Sequence, residues 1–584
     1  MEIFRHIKDL LKQNIWRYAL GVLLLIVIDA FQLVPPWIIG RIVDKLVAKD
    51  LPNDFLLLMV VTILALELVI AVCRYFWRVL ITGGSREIET AIRQRFFGHL
   101  EKLSLDYYIN NKTGDLMARA TNDLNSVRMA FGPGVIMITD AIFLTLTTVT
   151  IMATQIDARL TFYALIPLPI LAVIIAVLGP LIQRRHKKVS EAFSTISERA
   201  REAFTGIRII KTFVRERAIV DEFNKDNHQM LKRNLQLVSV WGFMFPMIGF
   251  IASTSVVLAI YFGGQTVLSG HITIGEFVTF VTYLGLLTWP FMAIGWVINV
   301  LQRGVASLKR INDILDAKPD INDDESNEEV TRLFGDIELK DLSFTYPNDA
   351  IPMLKHLSFK VKRGQTLAIL GRTGSGKTTL ANLLIRLYNA PRGTLFIDGH
   401  DIRNIPLKLL RDHIGYVPQN NFLFSQSIKE NIAITDDDTK LKKVTHYAKL
   451  ANIGAEIESL PNGYDTMLGE RGVNLSGGQK QRISIARSLI KNPDLVILDD
   501  ALSAVDTKTE ESILTHLKSE LKDKTAIIIA HRISSIKHAD QIIVLDNGYL
   551  SQIGTHDELL SQDGFYRELF EKQQLEERIA SYDA

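Results

Sequence analysis

A single cysteine, Cys73, in 584 residues excludes an intramolecular disulfide framework, and its place in an apolar run makes it a small buried or lipid-facing side chain. Net charge is nearly absent too: 66 Lys and Arg against 64 Asp and Glu leave +2, which by itself indicates no partner. Charge is missing locally as well. Long stretches of the first 300 positions carry none, and all six tryptophans fall there. A hydrophobic fraction of 48% over this length implies more than one domain, part of it not soluble. The first apolar stretch follows a charged start and is followed by others, so a cleavable signal peptide is not expected.

Six stretches, 18–39, 55–80, 135–154, 160–182, 238–262 and 277–301, each supply the roughly 20 apolar residues that a bilayer-spanning helix needs. Ahead of them, Ile3, Phe4, Ile7, Leu10 and Leu11 recur at helical spacing among Arg5, Lys8 and Lys12, which predicts a short helix over 2–12 lying on the membrane surface. The segments after the second and fourth spans are long and basic (Arg86, Arg93, Arg95, Lys102; Arg184, Arg185, Lys187, Lys188), whereas the turns near Asp157 and Gly270 are short and nearly free of Lys and Arg. The positive-inside tendency puts the basic segments, and with them both chain ends, in the cytoplasm. Their apolar periodicity, as in Ile88, Ile92, Phe96 and Leu100, predicts that the membrane helices continue beyond the bilayer. The tips near 112–116 and 204–207 break this pattern and are candidates to dock on another domain.

Ionisable residues inside spans, Asp29, Glu67 and Asp140, are costly there and point to a cavity or a partner. The last two spans are dense in aromatics: Trp241, Phe243, Phe245, Phe250, Phe280, Tyr283, Trp289, Phe291 and Trp296. Aromatic faces suit flat, hydrophobic, often cationic molecules, though packing between helices explains many such rings equally well. A cluster of Asp320, Asp323, Asp324, Glu325, Glu328 and Glu329 beside Pro319 then marks a solvated linker. The expected division is a membrane domain over 1–315, a linker over 316–335, and from 336 to 584 a domain alternating short strands with helices.

Within that last domain, 371–379 reads Gly-Arg-Thr-Gly-Ser-Gly-Lys-Thr-Thr, after an apolar strand and before a helix-like run. This is the context a phosphate-binding loop requires. Gly371, Thr373, Gly374, Ser375, Gly376 and Thr379 are expected to surround a nucleotide, with Lys377 on its β- and γ-phosphates and the Thr378 hydroxyl on Mg²⁺. Leu495 to Asp499 forms a second buried strand ending in a carboxylate that would hold the same ion. Between them, Leu475-Ser476-Gly477-Gly478-Gln479 opens a helix and supplies a second anion site, suited to a γ-phosphate held by another copy of the domain.

On these motifs the whole chain resembles an ATP-binding cassette (ABC) exporter half-transporter, in which LSGGQ is the signature. The resemblance implies a type IV exporter fold, an all-α six-helix membrane domain fused to an α/β cassette, with ATP and Mg²⁺ as cofactors. It makes Tyr346 the adenine-stacking aromatic, Gln419 the residue that senses Mg²⁺, Asp506 part of the D-loop and His531 the switch histidine on the γ-phosphate. Thr466 to Gly472, with Glu470 and Arg471, resembles the segment that meets the coupling helices. One position departs from the pattern: where most members carry a catalytic Glu after Asp499, this chain has Asp500. Its carboxylate sits about 1.5 Å further back, and misplacement near 1 Å can slow a reaction about a hundredfold.

The expected protein is therefore a multi-pass protein of the cell membrane, its cassette in the cytoplasm, exporting hydrophobic or cationic drug-like molecules. The intact signature beside Asp500 is similar to the degenerate-site subunit of bacterial heterodimeric multidrug exporters, so a second half-transporter subunit and the lipid bilayer are its expected partners. A nucleic-acid partner is not expected, since six spans argue against the soluble cassette ATPases of DNA maintenance. A homodimer, a lipid flippase and an ATP-gated channel are the alternatives.

Overall fold

The computed structural model describes residues 2–434, 440–469, 472 and 474–582. The chain forms two compact units: the chain up to Glu101 with Lys112–Ala317, and Lys102–Asn111 with everything from Lys318 onward.

The first unit is helical. Its helices are α1 (Lys8–Gln32), α2 (Val34–Val47), α3 (Asn53–Leu100), α5 (Thr113–Ala118), α6 (Leu124–Met129), α7 (Val135–Ile151), α8 (Ala158–Leu165), α9 (Leu168–Thr205), α10 (Ile207–Thr212), α11 (Glu216–Leu268) and α12 (Ile274–Leu315). Among the described residues, six segments of this unit are long and apolar enough to cross a membrane. At about 1.5 Å per residue, the 48 residues of α3 and 53 of α11 run to more than twice a bilayer's apolar thickness, as the periodicity beyond the spans predicts.

Close backbone approach packs this unit. A Cβ on Gly40 of α2 would lie 2.6 Å from the Gly275 carbonyl oxygen of α12, and Tyr283 donates to the Leu33 carbonyl at 2.7 Å. Phe280 and Tyr283 are thus fully buried in the core and not free to meet cargo. Trp241 stacks on Phe245, and Trp289 and Phe250 are exposed.

The amphipathic surface helix expected over 2–12 does not form. Glu2–Phe4 is a short 3₁₀ turn, and α1 begins at Lys8 and runs unbroken into the first span. Ile7 and Leu10 are buried, Asn312 donates to the Ile3 carbonyl at 2.7 Å, and Arg5 and His6 bind Asp316. Of the apolar face that sequence assigns to a membrane surface, Ile7 and Leu10 are covered by protein, while Ile3 and Phe4 stay exposed.

The second unit holds α4 (Leu105–Asn110), a helix the sequence pattern did not reveal, whose Asn110 and Asp106 oxygens accept from Asn348 Nδ2 at 3.1 and 3.3 Å. Its strands are β1 (Ile337–Phe344), β2 (Leu354–Val361), β3 (Thr366–Gly371), β4 (Leu395–Ile397), β5 (His400–Asp401), β6 (Ile414–Val417), β7 (Leu495–Asp499), β8 (Thr525–Ile529), β9 (Gln541–Asp546) and β10 (Tyr549–Gly554). Between and after them lie α13 (Lys377–Leu384), α14 (Leu407–Asp412), α15 (Ile428–Ile432), α16 (Leu441–Leu450), α17 (Gly454–Glu458), α18 (Gly477–Leu489), α19 (Thr507–Glu520), α20 (His556–Leu560) and α21 (Phe565–Tyr582).

Two sheets follow, ordered β2-β1-β4-β5 and β10-β9-β3-β8-β7-β6. In the second, β9, β3, β8, β7 and β6 are parallel, and β7 is buried at every position, as a strand covered on both faces must be. Residues 318–335 are no free tether. Val330 and Leu333 enter the apolar core, and Glu325 pairs with Arg392 and Arg403, so the acidic cluster that reads as solvated is partly bound to this unit's own arginines.

Candidate functional site

In an open parallel sheet, ligands meet the carboxyl ends of the strands. Strands β3, β8, β7 and β6 are adjacent, and Ile369, Ile529 and Asp499 stand in register across three of them. Their ends therefore deliver the phosphate loop after β3, His531 after β8, Asp499 on β7 and Gln419 after β6 to one edge. Four of the sequence-assigned motifs, far apart in the chain, are brought together this way.

The loop is built by glycine. Gly374 has φ +81 and Gly376 φ +99, and a Cβ on Gly376 would strike Leu354 at 2.4 Å. Lys377 opens α13 and turns its buried Nζ back onto the carbonyls of Gly371 at 2.8 Å and Arg372 at 2.9 Å. Thr373 and Thr378 are exposed, whereas Ser375 is buried with an Oγ that has no partner. Tyr346 lies half-buried beside the loop, its hydroxyl 2.9 Å from Thr379 Oγ1 and its ring against Tyr388.

Asp499 is buried, and its Oδ2 has no hydrogen-bond partner. Burial raises its pKa, Asp500 adds like-charge repulsion, and a Thr378 hydrogen bond with the charges of Lys377 and His531 opposes the rise. Burial lowers the Lys377 pKa against the pull of Asp499 and Asp500. An orphaned carboxylate oxygen beside a Thr hydroxyl is an all-oxygen donor set, which suits Mg²⁺. Thr378 and Asp499 fit that ion; Gln419 lies exposed just beyond β6.

Asp500 follows at φ +51, a region Asp enters more readily than most residues. With His531 it lines a cavity of about 90 Å³. Asp506 caps α19, accepting from the Thr509 N–H at 3.0 Å, and those amides hold its pKa below the usual range.

The signature residues bond elsewhere. Ser476 caps α18 in a reciprocal box with Gln479, whose Nε2 donates to Glu456 at 3.0 Å. A Cβ on Gly478 would meet the Ala504 carbonyl oxygen at 2.8 Å, so the D-loop lies against the signature glycines. Gln481, one turn along α18 and buried, joins the two. Motif reading passes over Gln481 and Glu456 because their partners are 19 or more positions away. Glu470 and Arg471 of the expected coupling segment lie outside the described residues.

Residues 18–291 match the family described as ABC transporter transmembrane region, and 354–503 match ABC transporter. The chain is 39% identical to "Probable multidrug resistance ABC transporter ATP-binding/permease protein YheI" of Bacillus subtilis (strain 168), over 96% of this chain and 95% of that one. It is 37% identical to the multidrug resistance-like ATP-binding protein MdlA of Escherichia coli (strain K12), over 99% and 97%. Identity to the ATP-dependent lipid A-core flippase of Syntrophus aciditrophicus (strain SB) is 32%, over 99% and 96%. A solved structure of a bacterial Atm1-family ABC exporter with ATP bound superposes with a TM-score of 0.79 at 26% identity, over 96% of this chain and 99% of that chain. Likeness of this extent, across both the membrane helices and the phosphate-loop domain, means that the chain belongs to the ABC exporters, with the type IV fold and an ATP-hydrolysing cassette.

Proposed function

We propose that the chain is one half of a heterodimeric exporter of hydrophobic or amphipathic, drug-like molecules, whose own ATP site hydrolyses slowly. The exporter sits in the cell membrane with both cassettes and both chain ends in the cytoplasm. Each closed site joins the phosphate loop and Asp499 of one chain to the Ser476-Gly477-Gly478 segment of another. Lys377 exchanges its two backbone carbonyls for phosphate oxygens, Tyr346 offers its ring to adenine, and the Asp506 segment meets the partner. Mg²⁺, when bound at Thr378 and Asp499 with Gln419 nearby, offsets phosphate charge. Hydrolysis breaks the bond between the γ-phosphorus and the bridging oxygen as a water oxygen attacks, and that water's proton passes to a carboxylate. His531 holds the γ-phosphate.

The observation that carries the heterodimer reading is Asp500 directly after Asp499, beside an intact signature: it is one methylene short of the Glu that the family resemblance implies there. Relatives named for multidrug resistance support a drug cargo. The relative named as a lipid flippase favours a second reading, a homodimeric flippase working slowly through Asp500. Purification from the native membrane tests both: a second, different half-transporter should co-purify in equal amount. Drug-stimulated ATP turnover by the chain alone would sink the heterodimer.

A further inference from the structure

Helix α21 has no part in the reading above, yet one face of it reaches the nucleotide site. Tyr566, Leu569, Phe570 and Gln573 share that face at helical spacing. Tyr566 is fully buried, with its hydroxyl 2.7 Å from His556 Nδ1. Leu569 and Phe570 pack against the buried apolar cluster that includes Ala368 and Leu370 of β3 and Ile533. A turn later the apolar face ends in an amide. Gln573 Nε2 donates to the His531 carbonyl at 2.9 Å, and its Oε1 accepts from the Ile533 N–H at 2.9 Å. One partner only accepts and the other only donates, so the amide orientation follows.

The residue between is held from the opposite side. Arg532 donates to buried Glu510 at 3.2 Å, and Ser535 bonds the same carboxylate. Gln573 fixes the backbone and Glu510 the Arg532 side chain, which leaves the His531 side chain exposed at the cavity it shares with Asp500.

We propose that Gln573 is a positioning residue for His531: the C-terminal helix sets where the imidazole meets the γ-phosphate and thereby tunes how the cassette distinguishes ATP from ADP. The proposal rests on the reading of His531 as the γ-phosphate contact. Losing two hydrogen bonds from a loop that must stay registered is worth about three- to tenfold in that discrimination.

The test uses the full-length chain in lipid nanodiscs with Mg²⁺, measuring ATP and ADP affinities by competition against a fluorescent ATP analogue. Gln573→Met keeps the length and packing of the side chain and removes both bonds. It should cut the ATP-over-ADP preference about three- to tenfold, leave ADP affinity unchanged, and have no further effect in a His531→Ala background. Gln573→Glu, which still accepts from Ile533 but cannot donate to His531, should fall between. A wild-type preference in both Gln573 variants while His531→Ala loses it overturns the positioning role, as does full additivity of the two substitutions. Should His531→Ala itself keep the preference, the reading of His531 falls and this proposal with it.

Discussion

Gln481 Nε2 donates to the backbone carbonyl of Asp500 at 3.2 Å, while its Oε1 accepts from the Ala504 N–H at 3.0 Å. A side chain on the signature helix thus holds the loop that leaves β7, and Ser503 Oγ lies 3.1 Å from the same amide. In the proposed dimer, Ser476 and Asp500 of one chain serve different ATP sites, so Gln481 is a strut between the two. Gln481→Ala should lower turnover of the assembled exporter about tenfold with less than about a twofold change in ATP affinity, the scale of two or three lost hydrogen bonds. Steady-state kinetics check it, and unchanged turnover would remove the strut.

Asp499 titrates above the ordinary carboxylate range, through burial first and then the like charge of Asp500. Cation binding needs the ionised form, so Mg²⁺-dependent nucleotide affinity should fall about tenfold per pH unit below that raised pKa. Asp500→Asn removes one of the two causes and should move the midpoint to lower pH. Without the cation the sign reverses: a carboxyl raised in the folded state costs stability as pH rises from its unfolded value through its folded one. Nucleotide titrations and thermal melts across pH 4–8, with and without Mg²⁺, read both slopes. An unmoved midpoint in the Asp500 variant would uncouple the two carboxylates.

The phosphate loop, the β7 carboxylate and the six spans were legible because each depends on neighbours within a few positions: glycines that must adopt positive φ, a buried strand, an unbroken apolar run. Gln573 was not, since its partner His531 lies 42 positions away in the chain. The start of the chain misled for a related reason. An amphipathic pattern states that an apolar face is covered, not by what, and Ile7 and Leu10 are covered by protein. Helix α4 is only six residues long, too short for periodicity to register.

Of the three ionisable residues placed within spans, Asp29 on α1 is buried and Asp140 on α7 half-buried, each with a carboxylate oxygen lacking a partner, whereas Glu67 lies exposed on α3. If cationic cargo is recognised inside the membrane unit, Asp29→Asn and Asp140→Asn should each weaken stimulation of ATP turnover by a cationic dye about tenfold, and stimulation by a neutral one much less. Glu67→Gln should leave both unchanged. Equal effects on neutral and cationic dyes would make the two carboxylates structural.

The partner question turns on two substitutions in one chain. If Asp500 is too short to position water, the site completed on this chain's phosphate loop contributes little turnover. Asp500→Asn should then reduce the total only modestly, within about twofold, because a carboxylate that makes little contact in the transition state has little to lose. In the proposed dimer Ser476 acts on the other site. Its side chain caps α18, and in that dimer it would stand where the γ-phosphate of the partner's nucleotide arrives, so Ser476→Arg should lower turnover by about a hundredfold or more, the scale of losing anion stabilisation in a working site. A homodimer has two identical sites that each need both residues, and there both substitutions are severe. Turnover of the two variants, measured in the exporter purified with whatever partner accompanies it, separates the cases: a wide gap supports a degenerate site on this chain, and two equally deep losses would establish that Asp500 itself performs the chemistry.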